Sequence, residues 1–310
     1  MNNIICVAGP TASGKTALAV ELAKELDGEV ISCDSMQIYR GMDIGTAKPT
    51  KEEMQGIPHH MLDICDPAED FSVSRYCEMA APILDDIIAR GKTAIIAGGT
   101  GLYMDSLMKG NDFAPTPATG HRQRLEAQAE TEGIDALLQQ LQAIDPEAAG
   151  RSQGNPRRII RALEVYYETG ETITAHNRRT QDIPPRYTPL WLGLDFSERS
   201  ELYRRIDLRV EIMLKQGLLK EIRDLLASGI PEKATAMQAI GYKEFVDALA
   251  GRSTIETAVA QVQQSSRRYA KRQLTWFRRN GNMHWLIRQP GQSSAEILAA
   301  ARQVIWNFDN

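Results

Sequence analysis

Gly9-Pro10-Thr11-Ala12-Ser13-Gly14-Lys15-Thr16 decides the fold of this chain. It fits the diphosphate-binding loop G-x-x-x-x-G-K-[ST] at every fixed position, a match that chance supplies in roughly one chain of this length in a hundred. Glycines let backbone N–H groups turn inward around phosphate oxygens, and the helix that follows adds the positive end of its dipole. Lys15 supplies a cation, and the Thr16 hydroxyl is a ligand type for Mg²⁺. A nucleoside triphosphate is the default occupant, but any diphosphate ester satisfies the same donors. No Asn-Lys-x-Asp stretch follows, which argues against guanine specificity.

Upstream of the loop, Ile4-Ile5-Cys6-Val7-Ala8 is a continuous apolar run, the pattern of a buried parallel strand. Downstream, Leu18, Leu22 and Leu26 at i, i+4, i+8 predict a helix closed by Gly28. Glu29 to Cys33 predicts the next strand, Tyr76 to Ala89 a helix, and Thr93 to Ala97 a third strand ending in Gly98-Gly99-Thr100-Gly101. This alternation predicts a P-loop NTPase-like α/β fold, a parallel sheet with helices on both faces. Ligands of such folds sit at the carboxyl ends of the strands, so the loop, Asp34 and residues 98–101 are expected to converge.

Two proline-rich segments, 112–120 and 181–189, bracket a region that reads helical over 121–132, 134–144 and 156–168. The last helix has Asn155 as its cap, Pro156 at its first position and Gly170 beyond its end. We expect an inserted all-helical domain over 118–185, set into a core of 1–117 and 186–310. Leu190 to Leu194 resumes the sheet, long amphipathic helices follow from about Glu198, and Met283 to Ile287 predicts a short strand.

Hydrophobic residues make up 43% of the 310, which suffices for a real core, and no apolar run reaches the roughly 18–20 residues of a membrane span. Met1-Asn2-Asn3 brings no basic segment before the first apolar run, so no signal peptide is expected. Cys6, Cys33, Cys65 and Cys77 show no pairing or metal-binding spacing and read as reduced thiols of a cytoplasmic protein. The net charge of -4 hides an asymmetry: residues 1–120 carry -8 and residues 121–310 carry +4. A polyanionic partner is therefore expected on the later part of the chain.

Asp34 at a strand end beside a phosphate loop has three open tasks: holding Mg²⁺ through water, acting as a general base, or capping the next helix. Ser35 and Gln37 are hydrogen-bonding types suited to a base edge. The glycines of 98–101 either admit a ligand close to the backbone or simply turn tightly. Around 267–279, helical spacing puts Arg268, Lys271, Arg272, Thr275 and Arg279 on one side and Ala270, Leu274 and Phe277 on another. That ridge is either a solvated face or a phosphate-binding surface. Arg157, Arg158 and Arg161 form a second basic cluster, at a helix start where the dipole favours anions. His59, His60, His121, His176 and His284 lack metal-ligand spacing.

Together the loop, Ile31 to Arg40, Met42-Asp43-Ile44-Gly45-Thr46-Ala47-Lys48-Pro49, Gly98 to Tyr103, Arg158 to Glu164 and Lys271 to Trp276 resemble the bacterial tRNA dimethylallyltransferases. The match runs in order over essentially the whole chain, and the Asp-Ser-x-x-x-Tyr and Asp-Ile-Gly-Thr-Ala-Lys-Pro blocks are more specific than the loop. The resemblance implies transfer of a dimethylallyl group from its diphosphate to N6 of the adenine 3′ of the anticodon, releasing diphosphate. It implies Asp34 as base, a contact at Thr100, Lys15 and Thr16 with Mg²⁺ on the leaving group, and Arg209 in substrate binding. It assigns tRNA contacts to Asp34, Ser35, Met36, Gln37, Thr100, Arg122, Arg157, Arg158, Ile159, Ile160, Arg161, Lys271, Arg272, Gln273, Leu274, Thr275, Trp276, Phe277 and Arg278. The expected partners are a tRNA anticodon stem-loop and dimethylallyl diphosphate, with a monomer and no membrane. A small-molecule kinase or an adenylate isopentenyltransferase would use the same loop, but a mononucleotide acceptor needs no extended cationic surface. A non-enzymatic RNA-binding module would leave Asp34 and Thr100 without a chemical task.

Overall fold

The apolar runs become the strands of one parallel sheet. The computed structural model describes residues 3–110, 119–181 and 184–309. Most of the first proline segment, with Pro115, Pro117 and the expected boundary at 118, lies outside the described residues, as do residues 182 and 183 of the second. The chain divides into two compact units, Met1–Lys109 with Arg186–Asn310, and Gly110–Pro185.

In the first unit the strands are β1 (Ile4–Ala8), β2 (Gly28–Cys33), β3 (His59–His60), β4 (Thr93–Gly98), β5 (Leu190–Phe196) and β6 (Met283–Arg288), in the order β3-β2-β4-β1-β5-β6. All pairs are parallel. The helices are α1 (Lys15–Glu25), α2 (Lys51–Met54), α3 (Val73–Ala89), α4 (Gly101–Lys109), α10 (Arg199–Gln216), α11 (Leu218–Ala227), α12 (Lys243–Leu249), α13 (Ile255–Phe277) and α14 (Ser294–Asp309). One face of the sheet packs Ile5, Val7, Ile95 and Leu192 against Leu18 and Leu22 of α1 and Ile297 and Ala301 of α14. On α3, the buried Tyr76 hydroxyl donates to the Ser32 carbonyl of β2 (3.0 Å). Among the described residues no helix is long and apolar enough to cross a membrane, and all four cysteines are free and buried.

The second unit contains α5 (His121–Glu132), α6 (Ile134–Ile144), α7 (Pro146–Ser152), α8 (Pro156–Thr169) and α9 (Ile173–Gln181). Leu125, Leu137, Leu141, Ile159 and Leu163 give it a core of its own. Asn155 caps α8 by accepting the N–H groups of Arg157 and Arg158, and Gly170 ends it in the left-handed region at φ 71°.

Two local expectations need correction. Gly28 does not stop α1; the helix ends at Glu25, Asp27 turns the chain at φ 45°, and Gly28 opens β2. Its reason is close packing, since a Cβ there would lie 2.7 Å from the Thr93 carbonyl oxygen. The elements α2, β3, α4, α7 and α9 are additions. The two histidines of β3 carry no apolar alternation, and α4 opens on a glycine, which masks a helix start.

Candidate active site

The phosphate loop joins β1 to α1, at the centre of the sheet's carboxyl edge. Gly14, at φ 93°, occupies the N-cap of α1 and brings no side chain to the first-turn N–H groups, which stay available to an anion. Lys15 Nζ donates to the Pro10 carbonyl (2.7 Å) and so folds back over the loop. Burial and the neighbouring Arg209 charge lower the Lys15 pKa to about 8, against the pull of Asp34. Burial likewise lowers the Arg209 pKa, and Asp34 again opposes. Lys15, Arg209 and Asp34 therefore share one electrostatic neighbourhood, two cations against one anion. Ser13, 1% exposed, has no hydrogen-bond partner for its Oγ among the described residues. A buried orphan hydroxyl inside a cradle of uncapped N–H groups fits a phosphate oxygen.

Asp34 follows the last residue of β2. Its Oδ1 accepts the Met36 N–H (2.9 Å), the local turn that a strand-end aspartate makes. Thr100 sits across from it: its Oγ1 accepts the Ser35 N–H (3.0 Å), and its own N–H donates to the Cys33 carbonyl (3.2 Å). Tyr269 of α13 adds a phenol here, its pKa raised to about 12 by burial and by the Asp34 charge. The glycines of 98–101 make room for neighbours inside the protein. A Cβ on Gly98 would overlap the Cys33 carbonyl, one on Gly99 the Gln273 amide, and one on Gly101 the Trp276 indole.

Beside the loop, at the ends of β5 and β6, lies a cavity of about 370 Å³ lined by Ser200, Arg204, Arg205, Arg288 and Gln289, with Glu198 and Glu201. Arg205 Nε donates to the Ala12 carbonyl (3.0 Å), which joins this cavity to the loop. Arg288 Nε is buried with no partner among the described residues.

Several expected partner-facing residues turn inward. The Gln37 amide is used within the chain: Nε2 donates to the Thr46 and Ala47 carbonyls (3.3 and 3.1 Å), and the Ser32 hydroxyl donates to Oε1 (2.9 Å). It braces the 43–48 loop instead of offering a base edge. That loop is also clamped by Glu221, whose carboxylate accepts the N–H groups of Asp43, Ile44 and Gly45 and the Tyr242 hydroxyl. Met36 packs on a core cluster. Ile159, Ile160, Leu274 and Phe277 are 0%, 7%, 1% and 2% exposed. These four hold their helices in place, so a partner meets only their polar neighbours. Trp276 donates from Nε1 to Asp105 (2.8 Å). The exposed face of α13 and the turn after it carries Arg268, Lys271, Arg272, Thr275, Arg278 and Arg279. In the helical unit Arg157 and Arg158 are exposed, while Arg122 and Arg161 both reach the buried Glu164 (3.4 and 2.8 Å).

The family model described as IPP transferase matches residues 37–280. The tRNA dimethylallyltransferase of Acetivibrio thermocellus is 43% identical over 310 residues, 99% of each chain. That of Geobacillus thermodenitrificans is 48% identical over 284 residues, covering 91% of this chain and 89% of the relative. The chain belongs to the IPP transferase family. The crystal structure of the tRNA isopentenylpyrophosphate transferase of Bacillus halodurans is 41% identical, with a TM-score of 0.75 over 100% of this chain and 97% of that one. A eukaryotic dimethylallyltransferase acting on tRNA gives a TM-score of 0.83 at 29% identity, over 99% of this chain and 80% of that one.

For this IPP transferase, sequence reading missed Arg205, Arg288, Tyr269 and the inward role of Gln273. Arg205 was within reach, because it lies one turn before Arg209 on the same face of α10. The other three had no local signal: their meaning depends on which loop α13 and β6 lie against. Among the described residues no group of three His, Cys, Asp or Glu side chains could hold a metal. A Mg²⁺ bound by one hydroxyl and substrate phosphates needs no such group.

Proposed function

We propose that this chain is a tRNA dimethylallyltransferase, moving the dimethylallyl group of dimethylallyl diphosphate onto N6 of the adenine 3′ of the anticodon and releasing diphosphate. What carries the reading is the pairing of an anion cradle (uncapped α1, Lys15, orphan Ser13 Oγ) with one carboxylate, Asp34, whose charge is felt at Lys15 and Arg209. Of the loop residues Gly9, Pro10, Thr11, Ala12, Ser13, Gly14, Lys15 and Thr16, the diphosphate takes those N–H groups that face the cradle: Pro10 has none, the Thr11 N–H is engaged by Gln273, and the Ser13 N–H donates to the Pro10 carbonyl (3.4 Å), which leaves Ser13 its Oγ. Lys15 and Arg209 stabilise the charge that grows on the leaving group as the allylic C–O bond breaks. Thr16 and the diphosphate oxygens would hold Mg²⁺, which adds positive charge to the same leaving group.

The adenine amine is a poor nucleophile because its lone pair is delocalised into the ring. Asp34 accepts the N6 proton as the new C–N bond forms, and Thr100 fixes the Ser35 turn beside it. An anticodon-loop base swings out of its stack to enter such a site at modest cost. The exposed cations of α13 and, on the helical unit, Arg157 and Arg158 meet the phosphates of the stem-loop. The working division is a catalytic core of 1–117 and 186–310 and an RNA-gripping insertion of 118–185, acting as a monomer in the cytoplasm.

The test is direct. Purified protein with Mg²⁺ and labelled dimethylallyl diphosphate is expected to label tRNA and to leave AMP unlabelled. Labelling of AMP alone, or hydrolysis of ATP without alkylation, would overturn the reading.

A further inference from the structure

Gln273 is the one polar side chain of the 270–277 stretch that is buried, at 5% exposure. The family resemblance groups it with the tRNA contacts, yet its amide faces the opposite way. Oε1 accepts the Thr11 N–H of the phosphate loop (2.9 Å), and Nε2 donates to the Gly99 carbonyl (2.9 Å). The partners fix the amide's orientation, since the reverse would set donor against donor and acceptor against acceptor. Gly99 carries no Cβ because Gln273 fills that space.

Each end of this bridge leads to one half of the reaction. Thr11 begins the turn whose far end is Lys15 and Thr16, and Ala12 within it holds the strained φ of 62°. Gly99 precedes Thr100, which holds the Ser35 N–H next to Asp34. We infer that Gln273 is a positioning residue: one amide spans the donor's cradle and the turn that carries the base, and so sets the distance between the allylic carbon and the amine that attacks it. The inference rests on the proposed transferase reading. Its physical ground is the steep dependence of a displacement on approach geometry, where a misplacement of about 1 Å costs on the order of 10²-fold in rate. Gln273 touches no reacting atom and acts only through the two backbones.

Single-turnover and steady-state transfer assays on Gln273→Met and Gln273→Glu test this. The Met variant keeps the volume and loses both hydrogen bonds. Its kcat is expected to fall on the order of 10²-fold, with KM for dimethylallyl diphosphate within about threefold and with the tRNA Kd and its salt slope unchanged. A carboxylate keeps the acceptor for Thr11 but cannot donate to Gly99, whereas a carboxylic acid does both. The Glu variant, relative to wild type at the same pH, is therefore expected to recover activity as pH falls from about 8 to 6, while the Met variant shows no such recovery. A folded Met variant with wild-type kcat overturns the inference. So does a weakened tRNA Kd with kcat intact, which would make Gln273 an RNA contact. A Glu variant without pH-dependent recovery also overturns it, and remains readable should the Met variant fail to fold. Wild-type protein that does not alkylate tRNA would instead sink the transferase reading, so the two failures are distinct.

Discussion

Asp34 combines two jobs in one side chain: Oδ1 holds the Met36 N–H and the carboxylate lies in the field of Lys15 and Arg209. Substitution by alanine would remove both at once. Asp34→Asn keeps an acceptor for Met36 and removes the base, so kcat is expected to fall by about 10²-fold or more while tRNA binding is retained. Rapid-quench transfer and filter binding on the same preparation read the two quantities separately, and an unchanged rate would leave Asp34 a turn-forming residue. The lowered Lys15 pKa has a related meaning. Burial first, and then the Arg209 charge, disfavour the Lys15 cation in the free cradle, and the negative charge of a bound diphosphate would offset both.

At the scale of the element, α13 has two faces with different work. Ala270, Gln273, Leu274 and Phe277 are buried and Lys271, Arg272 and Thr275 exposed, as amphipathic spacing requires. Lys271→Ala with Arg272→Ala is expected to lower the magnitude of the salt slope of tRNA binding by about 1–2 without changing stability. Leu274→Ala is expected to cost about 2–4 kcal/mol in urea unfolding, from the cavity left behind. Both outcomes reversed would mean that the helix presents its other side.

The strand β2 supplies the pH dependence. Glu29, 4% exposed, bonds Arg90 and His60, and mainly through the Arg90 hydrogen bond its pKa is lowered from 4.5 to about 2. Ionised Glu29 therefore contributes its full stabilisation above pH 4.5, and this is lost as pH falls through about 2. Glu29→Gln is expected to cost about 2–3 kcal/mol at neutral pH, somewhat below a fully buried pair because Arg90 is partly exposed. Urea unfolding from pH 7 down to pH 3 checks this, with the gap between variant and wild type narrowing toward the acid end.

For the whole molecule, diphosphate with Mg²⁺ binds the folded cradle and not the unfolded chain. At 100 times Kd this is expected to add about 2.7 kcal/mol and to raise Tm by about 4 °C, read by scanning calorimetry. Lys15→Ala is expected to abolish most of that shift; a shift that persists would place the anion elsewhere. The helical unit has its own core around Leu137 and Leu163, and its helices α5 and α6 have the bounds that periodicity predicts. Asn155, Pro156 and Gly170 mark α8 as they would in any helix. The positions of β1, β2, β4 and β5 were equally legible, because a parallel strand buried on both faces is predominantly apolar, whereas the two histidines of β3 carried no such signal. The cradle was legible as well, since the glycines, lysine and threonine that wrap a diphosphate lie within eight consecutive residues.

Sequence alone determined the alternating elements, the phosphate loop and the polarity of α13, for each follows from chemistry within a few consecutive residues. Tertiary structure alone decided why Gly99 and Gly101 are glycines, that Gln37 braces a loop, and that Gln273 faces the cradle. Those roles belong to pairs such as Thr11 and Gln273, 262 positions apart, and a contact between distant residues leaves no mark in the spacing around either one.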